Sequence, residues 1–349
     1  MHKNKKKIIF YISDFSLPNM SAYALHVLKM CDAFSEKKYN VHLLVPHIRN
    51  KYSFNKVKKD YLLKKRFKIK SFFKSKIGRS FFSLILFSFK ILAFLKIRRK
   101  PFILISRSIL PALILSLTGK KIFLEIHTEP KGFTKIFFFF FRMLRLKNKI
   151  KFILIHKNLN KFLKLKKEDF IILDDCVDHR DFRKINKKIN SCIYTGSFVK
   201  GKGVEKIIDV ANLLPKINFV LYGNINTLSN HLNEKIKKQK NIILNDFVSY
   251  KQITEILPRY KILLMPYEKK INVLIKDLNV SEYISPLKLF DYLASGSVMI
   301  ASKKKVYSHI LKHNYNCFFP KYPNANEWSK IILKVFSKPS STRIVQENS

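Results

Sequence analysis

The sequence predicts an α/β protein built from two Rossmann-like, doubly wound domains that face a cleft. Its 349 residues are enough for two domains of ordinary size, each with its own core. Short apolar runs alternate with amphipathic stretches, the pattern of parallel strands joined by crossover helices. This pattern stops in a polar, turn-rich stretch at 173–190 and then begins again. We therefore place an N-terminal domain at 1–175, a C-terminal domain at 190–325, and a terminal helix with a tail at 326–349.

The first half of the chain contains five apolar runs with the length and composition of buried strands. They lie at 7–13, 40–46, 101–106, 121–126 and 149–156. A helix at 21–34 joins the first two runs into a βαβ unit, and residues 51–80 are expected to form two short helices with loops. The run at 149–156 is expected to be the last strand of this domain.

Two aromatic helices are predicted in the same half. Residues 81–95 form a run of about 15 positions that includes Lys90, whereas a membrane span needs roughly 20 apolar residues. We interpret this run as a domain helix that is buried or lies at a membrane surface. The helix at 133–146 contains five consecutive phenylalanines. They cannot all face one core, so some should meet lipid, the other domain or an acceptor.

The second half repeats the alternation of strands and helices. Strands are predicted at 191–194, 217–222, 261–267 and 298–301, and helices at 204–214 and 327–336. The strongest helix signals lie between Ser285 and Gly296. Ser285 suits the N-cap, Pro286 suits the first helical position because its missing N–H would be unpaired there, and Gly296 supplies a left-handed stop.

The chain is strongly basic, with a net charge of +46 from 69 Lys and Arg against 23 Asp and Glu. This charge indicates a polyanionic neighbour, although a biased genome composition would also produce it. Residues 51–100 hold 17 basic residues and one acid, Asp60, among Phe, Leu and Ile. Apolar runs of this kind favour an anionic membrane surface over a nucleic-acid groove, which needs stacking aromatics along a charged track.

Cysteine spacing and the N-terminus indicate a cytoplasmic protein. The four cysteines are widely spaced, without a C-x-x-C pair or a histidine cluster at metal-ligand spacing, so we expect reduced thiols. The basic N-terminus runs directly into a strand pattern and lacks the apolar core of a signal peptide. We expect the protein to be cytoplasmic, with peripheral attachment to the inner face of the cell membrane as a possible addition.

The helix start at Ser285, Pro286 and Leu287 has the character of an anion site, because free N–H groups and the positive end of the helix dipole converge there. Lys288 adds a positive charge, and a ribose diol is a suitable partner for the Asp291 carboxylate. A second phosphate cradle is indicated by the turn after the strand at 191–194. Its candidate residues are Gly196, Ser197, Lys200 and Lys202. Together these features favour a nucleoside diphosphate ligand.

The segment SPLKLFDYLASG resembles the donor-site motif of the family 4 glycosyltransferases, which are retaining enzymes of the GT-B fold. EIH at Glu125–His127 is similar to a second motif of that family, and the resemblance covers most of the chain, least over 50–100. It implies sugar transfer from a nucleotide-sugar to a saccharide or lipid-linked acceptor, with retention, in cell-surface polysaccharide assembly. The N-terminal domain would then bind the acceptor and the C-terminal domain the donor.

The resemblance also implies roles for single residues. His127 would face the donor sugar, Lys202 would neutralise the leaving diphosphate with Lys200 as a substitute, and Asp291 would bind the ribose. The other donor-binding candidates are Gly196, Ser197, Gly223, Phe247, Val248, Ser285, Pro286, Leu287 and Lys288. No D-x-D motif is present, so we expect neither a metal nor a cofactor.

The sequence departs from the family pattern at two points. Tyr283 occupies the first acidic position of the donor motif, with Glu282 one residue out of register, and the first turn, LPNMSAY, lacks glycines. These departures leave two alternatives open. One is a catalytically inactive GT-B-like basic protein that binds a membrane or polyanion. The other is a nucleotide-sugar epimerase, although its additional acid and base residues are not evident.

Overall fold

The computed structural model describes residues 7–50, 52–78, 80–98, 100–143, 149–272 and 278–337. The chain divides into two compact units, Met1–Asp174 (unit 1) and Asp175–Ser349 (unit 2). Each unit has a parallel sheet with helices, as the sequence predicts for doubly wound domains.

Unit 1 contains a seven-stranded sheet in the order β3-β2-β1-β4-β5-β6-β7, in which every pairing is parallel. Its strands are β1 (Ile8–Ile12), β2 (Asn40–Val45), β3 (Lys68–Ser71), β4 (Phe102–Ser106), β5 (Ile122–Ile126), β6 (Ile150–Leu154) and β7 (Phe170–Ile172). Its helices are α1 (Ala22–Glu36), α2 (Phe54–Asp60), α3 (Phe81–Lys96), α4 (Ile109–Leu117), α5 (Phe133–Met143) and α6 (Asn160–Leu163).

Helix α1 shows how local sequence produces this architecture. Ser21 is its N-cap, and the Ser21 hydroxyl accepts a hydrogen bond from the Ala24 N–H at 3.2 Å. The apolar face of α1 then packs on β1 and β2 in one core, where Val27 and Leu28 are fully buried. Burial of this stripe joins helix and sheet into the predicted βαβ unit.

Two expectations for unit 1 are wrong. Of the described residues within 51–80, Phe54–Asp60 form one helix, α2, and Lys68–Ser71 form the edge strand β3, where two helices were expected. The strand at 149–156 is not the last one, because β7 follows β6 in the same sheet. Both missed strands are short. The β3 sequence KIKS carries lysines on its more exposed positions, and the β7 sequence FII is apolar but has only three residues, too few to show the period of a strand.

Unit 2 contains a five-stranded parallel sheet in the order β10-β9-β8-β11-β12. Its strands are β8 (Ile189–Thr195), β9 (Phe219–Tyr222), β10 (Ile242–Asn245), β11 (Tyr260–Met265) and β12 (Val298–Ala301). Its helices are α7 (Val204–Leu213), α8 (Asn230–Lys237), α9 (Tyr250–Ile256), α10 (Leu287–Ala294) and α11 (Ala325–Ser337). The terminal helix α11 packs against α7, and its Trp328 is 2% exposed in the core of unit 2.

The aromatic helices are α3 and α5. Within the part of the chain described above, no helix is long and apolar enough to cross a membrane. The phenylalanines of α5 divide as expected, because Phe138 and Phe141 are buried while Phe139 is 58% exposed. Positions 144–146 of the helix predicted at 133–146 lie outside the described residues, as does the tail from 338 onward.

Candidate functional site

The candidate donor site of unit 2 lies where β8 and β9 end, at the carboxyl edge of the sheet that doubly wound folds use for ligands. Gly196 follows β8 and Gly223 follows β9, and the Gly196 N–H donates to the Tyr222 carbonyl at 2.8 Å. A Cβ on Gly223 would stand 2.1 Å from the Gly196 oxygen, so the two turns are too close for a side chain there. Gly196 and Gly223, both predicted for this site, therefore lie in two turns that pack directly against each other, and we call these two turns the turn pair.

Helix α10 is fixed beside this turn pair by Tyr292. The Thr195 N–H donates to the Tyr292 hydroxyl at 2.9 Å, and the Tyr292 side chain is fully buried. The first turn of α10 carries Lys288. A Cβ on Gly196, whose φ is +141°, would stand 2.7 Å from the Lys288 Nζ. The glycine turn and the predicted phosphate-binding lysine are therefore in contact.

The Lys288 ammonium is buried within aromatic rings. Its Nζ lies 3.8 Å from the ring centroid of Tyr194, 5.3 Å from that of Tyr267 and 6.0 Å from that of Tyr292. No hydrogen-bond acceptor for this nitrogen exists among the described residues. Cation–π attraction to these rings is therefore the main interaction that offsets the lost hydration of the Lys288 ammonium.

Lys202 is the second cation of the site. It is 9% exposed, and its Nζ lies 4.6 Å from the centroid of Tyr267, which Lys288 also faces. Burial lowers the pKa of Lys202 to about 8. Burial, and then the charge of Lys202, lowers the pKa of Lys288 well below its usual range. Neither lysine forms an ion pair with any carboxylate that the structure describes, so the pair offers positive charge to an anion.

The N-terminal cap of α10 differs from the prediction. The N-cap is Pro286, in extended conformation with φ −81° and ψ 120°, and the helix begins at Leu287. Ser285 therefore does not cap the helix, and its hydroxyl accepts a hydrogen bond from the Asp175 N–H at 3.1 Å. The cause is a tertiary contact. The local sequence assigns the Ser285 hydroxyl to the helix cap, but this hydroxyl is hydrogen-bonded to the backbone N–H of Asp175, which is distant in sequence. The stop at Gly296 is confirmed by its φ of +62°.

Asp291 lies half-buried on α10, near a residue that the sequence gave no reason to select. The Tyr250 hydroxyl donates to the Asp181 carboxylate at 3.4 Å. Burial first, and then the negative charges of Asp291 and Asp181, raise the pKa of Tyr250. The predicted ribose carboxylate therefore shares its surroundings with Tyr250 from α9 and Asp181.

The other predicted donor residues are less enclosed. Lys200 and Phe247 are exposed, whereas Ser197 and Val248 are half-buried. Tyr283 is 1% exposed and belongs to the core, while Glu282 is exposed. A buried tyrosine therefore occupies the position where the family motif has its first acid.

The candidate residue of unit 1 is His127, which directly follows β5. Its Nε2 lies 3.6 Å from the Oε2 of Glu125, and the His26 Nε2 lies 3.2 Å from the same oxygen. We call these three residues the His–Glu–His cluster. His26 belongs to α1, distant in sequence, so no local spacing could have indicated it.

The His–Glu–His cluster is also the group in the described chain whose donor atoms could hold a metal, since they lie within 4.8 Å of one another. Burial by itself raises the pKa of Glu125, but hydrogen bonds from His127 and His26, and the charges of these residues, hold the pKa well below its usual range. The carboxylate is thus ionised and already satisfied by the two imidazoles. The expected absence of a metal stays a prediction.

The chain is similar to known proteins in sequence over its second half and in fold over most of its length. Residues 178–349 match the family of glycosyl transferases group 1, while no curated protein matches the sequence. Among solved structures, Anabaena HepE in complex with UDP and glucose is similar, with a TM-score of 0.67 and 11% identity over 97% of this chain and 92% of that chain. A glycosyltransferase from Rickettsia africae gives a TM-score of 0.70 and 12% identity over 98% and 92% of the two chains.

A third similar structure is WaaG, a glycosyltransferase involved in lipopolysaccharide biosynthesis, with a TM-score of 0.63 and 10% identity over 97% of this chain and 93% of that chain. At such identities the structural likeness establishes the fold. The family match covers the unit that holds Lys202, Lys288 and Asp291. The chain therefore has the GT-B fold, and its residues 178–349 match the family of glycosyl transferases group 1.

Proposed function

We propose that the protein transfers a hexosyl or related sugar from a nucleoside diphosphate sugar to a saccharide or lipid-linked acceptor, with retention at the anomeric carbon. The observation that carries the proposal is the pair of buried ammonium groups of Lys202 and Lys288. An unpaired buried charge is unfavourable in a folded protein unless a ligand compensates it. Two such charges beside a glycine turn suit a diphosphate.

The positive charge of these two lysines also suits the chemistry of sugar transfer. When the glycosidic bond to the donor breaks, negative charge develops on the departing diphosphate. Ammonium groups held in place by Tyr194 and Tyr267 would stabilise that charge without reorganising, which is how preorganised electrostatics lowers a barrier. In this proposal the lysines take the role that a divalent cation has in other transferases, and no metal or cofactor is required.

The remaining donor contacts follow from the same elements. Asp291 would accept hydrogen bonds from the ribose hydroxyls, and Phe247 and Val248 would lie along the base. The turns at Gly196 and Gly223, with Ser197 beside them, would let the backbone approach the phosphates. The start of α10, at Ser285, Pro286 and Leu287, would lie at the same phosphates. His127 would contact the donor sugar.

The acceptor side of the proposal rests on a surface of unit 1. Helix α3 packs against α4, and α4 packs against α5. The α3–α5 surface consists of exposed apolar side chains on the outer two helices, namely Phe82, Leu86, Phe89, Ile136 and Phe139. Phe82 is 80% exposed and follows helical spacing with Leu86 and Phe89, so one stripe of α3 faces outward.

Basic residues accompany this stripe, among them Lys90 and Lys96 on α3 itself. An apolar stripe with lysines on a helix is suited to the interface of an anionic membrane. We propose that the α3–α5 surface rests on the inner face of the cell membrane, where a lipid-linked acceptor would be found. The role of WaaG in lipopolysaccharide biosynthesis supports an acceptor in the cell envelope.

The donor proposal is tested by calorimetric titration with UDP, GDP and ADP. We expect one of them to bind the wild type, and Asp291→Asn to weaken that binding about tenfold through the lost ribose contact. The matched control is Asp209→Asn, the same change at an exposed site on α7, which should bind normally. If no nucleotide binds while anionic vesicles do, the chain is an inactive polyanion-binding protein instead.

Turnover experiments test the finer points. With the nucleotide-sugar of the base that binds, NMR of the product should show the anomeric configuration of the donor, and EDTA should leave the rate unchanged. Inverted product would refute retention, and loss of activity in EDTA would refute metal independence.

Membrane attachment is tested by co-sedimentation with vesicles that contain anionic lipid. Phe82→Ser with Phe89→Ser should reduce the bound fraction several-fold, since each removes apolar area from the interface. Leu213→Ser, at a residue of α7 that is 47% exposed, is the control and should not change it. Equal sedimentation of all three proteins would refute the proposed surface.

A further inference from the structure

The sheet of unit 1 has a topological switch point of its own. In the strand order β3-β2-β1-β4-β5-β6-β7, the chain runs outward from β1 to β3 and then returns to β4 on the other side of β1. Doubly wound folds bind ligands outside the carboxyl ends of the two strands at such a point. Arg107 directly follows β4 there, and its backbone N–H donates to the Ile12 carbonyl at the end of β1, at 3.0 Å.

The Arg107 side chain differs from the other arginines of the described chain. It is half-buried, whereas the others whose burial the structure describes are exposed. These are Arg49, Arg66, Arg98, Arg180, Arg183 and Arg259. Arg107 forms no ion pair with a carboxylate that the structure describes, and the one side-chain hydrogen bond it makes there, from Nη1 to the Tyr23 carbonyl, is long at 3.4 Å. A guanidinium has five N–H donors, so most of them remain for a ligand.

The ring of Tyr23 holds this guanidinium in place. The Arg107 Cζ lies 4.4 Å from the ring centroid of Tyr23, which is a cation–π contact. The Tyr23 hydroxyl donates to Asp14 Oδ1 at 2.9 Å and accepts from the Ser13 hydroxyl at 2.8 Å. Burial first, and then the charge of Asp14, raise the pKa of Tyr23, so the hydroxyl keeps its proton for Asp14. The platform under the guanidinium is therefore fixed at both ends.

The Asp14 carboxylate accepts from hydroxyl groups and does not form an ion pair with Arg107. Its Oδ1 accepts from Tyr23, and its Oδ2 accepts from the Ser108 hydroxyl at 3.2 Å. Ser108 is the N-cap of α4, but its side chain makes no cap hydrogen bond, because it is turned toward Asp14. The fold thus positions the charge of Arg107 without pairing it, which suits an anionic ligand.

We propose that Arg107 binds a phosphate group of the acceptor, with Tyr23 and Asp14 holding its guanidinium at the switch point of unit 1. A planar guanidinium donates two parallel N–H bonds to phosphate oxygens, which selects a phosphate over a neutral hydroxyl. The acceptor is then a phosphorylated saccharide or a phosphate-linked lipid. This inference rests on the proposed function, because it names the chemistry of the acceptor, and it concerns residues of unit 1 alone.

Binding is tested in protein that carries Lys202→Met and Lys288→Met, so that the donor site of unit 2 no longer attracts phosphate. Glucose 1-phosphate is the soluble probe and geranyl phosphate is the lipid probe, with glucose and geraniol as their neutral counterparts. Calorimetry should show saturable binding of at least one phosphate probe and none of its neutral counterpart. The phosphate probe that binds more tightly indicates whether the acceptor is a soluble sugar phosphate or a lipid phosphate.

Variants at Arg107 in the same background assign the binding to this residue. Arg107→Met should weaken binding of the phosphate probe at least about tenfold, and Arg107→Lys, which keeps the charge but loses the planar fork, about threefold. Arg98→Met is the matched control, because the Arg98 Cζ lies 4.5 Å from the centroid of Phe94 but the side chain is exposed. Its affinity should stay within about twofold.

Three results would overturn the proposal. Neither phosphate probe binds, or Arg107→Met and Arg98→Met bind the probe equally, or Arg107→Lys binds it as tightly as the parent protein. The last result decides the matter if circular dichroism shows that Arg107→Met does not fold.

The two proposals fail separately. Arg107→Met in the otherwise wild-type protein should leave nucleoside diphosphate affinity within about twofold, since the lysines of the donor site belong to unit 2. If no nucleotide binds while the phosphate probe binds through Arg107, the proposed function fails and the phosphate site stands. If a nucleotide binds but no phosphate probe does, the role of Arg107 is refuted and the transferase remains.

Discussion

Unit 1 and unit 2 each bury charge, but they balance it differently. In unit 1 the Glu125 carboxylate is matched by His26 and His127. In unit 2 the ammonium groups of Lys202 and Lys288 face aromatic rings, and no described carboxylate pairs with either. A balanced charge serves to hold neighbouring groups, whereas an unbalanced charge indicates a ligand of opposite sign. This difference separates a cluster whose charges compensate one another from a pair of lysines whose charge no described carboxylate compensates.

The largest effect is expected when both ammonium groups of unit 2, those of Lys202 and Lys288, are removed. Lys202→Met with Lys288→Met should weaken binding of the nucleoside diphosphate identified by the titration at least about a hundredfold, because two charge-assisted contacts are lost. The free energy of unfolding without ligand should stay the same or rise, since buried unpaired charges are replaced by apolar side chains. Calorimetry and urea denaturation measure the two effects.

Lys200→Met is the control for this double variant. Lys200 is exposed in the same loop, so its loss should change the affinity for that nucleoside diphosphate by less than about threefold. Normal nucleotide binding by the double variant would show that the lysine pair is not the diphosphate site.

A second test uses pH. Burial lowers the pKa of Lys202 to about 8 in the folded state from its usual value of 10.5, so the unfolded chain binds more protons between these pH values. Stability should therefore rise with pH across this window, by about 3 kcal/mol for this residue. The Lys202→Met variant should lack this contribution. It is measured as the difference between the free energies of unfolding of the wild type and the variant at each pH. Identical pH dependence in both proteins would contradict the buried, unpaired state of Lys202.

Removal of the paired charge of unit 1 should lower stability, whereas removal of the unpaired lysine charges of unit 2 should not. Glu125→Gln is expected to lower the free energy of unfolding by about 2 kcal/mol, because a buried pair loses its carboxylate. Because the pKa of Glu125 is depressed in the folded protein, this contribution is present above the unfolded pKa and is lost as pH falls below it. Urea denaturation at neutral and acidic pH measures the change, and a variant more stable than the wild type would refute it.

The smallest effect is expected from two glycines with positive φ. Gly196→Ala would place Cβ 2.7 Å from the Lys288 Nζ, whereas a Cβ on Gly296 meets nothing within 4 Å. Both changes should lower stability by about 1 kcal/mol through backbone strain. Only Gly196→Ala should also weaken binding of the nucleoside diphosphate, by about tenfold, because it displaces the Lys288 ammonium. Equal nucleotide affinity in the two variants would show that Lys288 adapts freely.

The sequence by itself determined the features that depend on neighbours along the chain. Apolar runs and helical stripes located most strands and helices, including α10 with its stop at Gly296, because periodicity and glycine conformation are local properties. The same reasoning selected Lys202, Lys288 and Asp291 for unit 2 and His127 for unit 1. It did not find β3, β7 or β10, which have three or four residues each and are too short to show a clear period.

Only the tertiary structure decided which distant residues meet. His26 reaches Glu125 across 99 positions, and the Thr195 N–H reaches the Tyr292 hydroxyl across 97. The aromatic rings around Lys288, the place of Tyr250 beside Asp291, and the hydrogen bond that takes Ser285 from the helix cap arise in the same way. Such contacts follow from how sheets and helices pack, and packing brings together side chains that no sequence period connects.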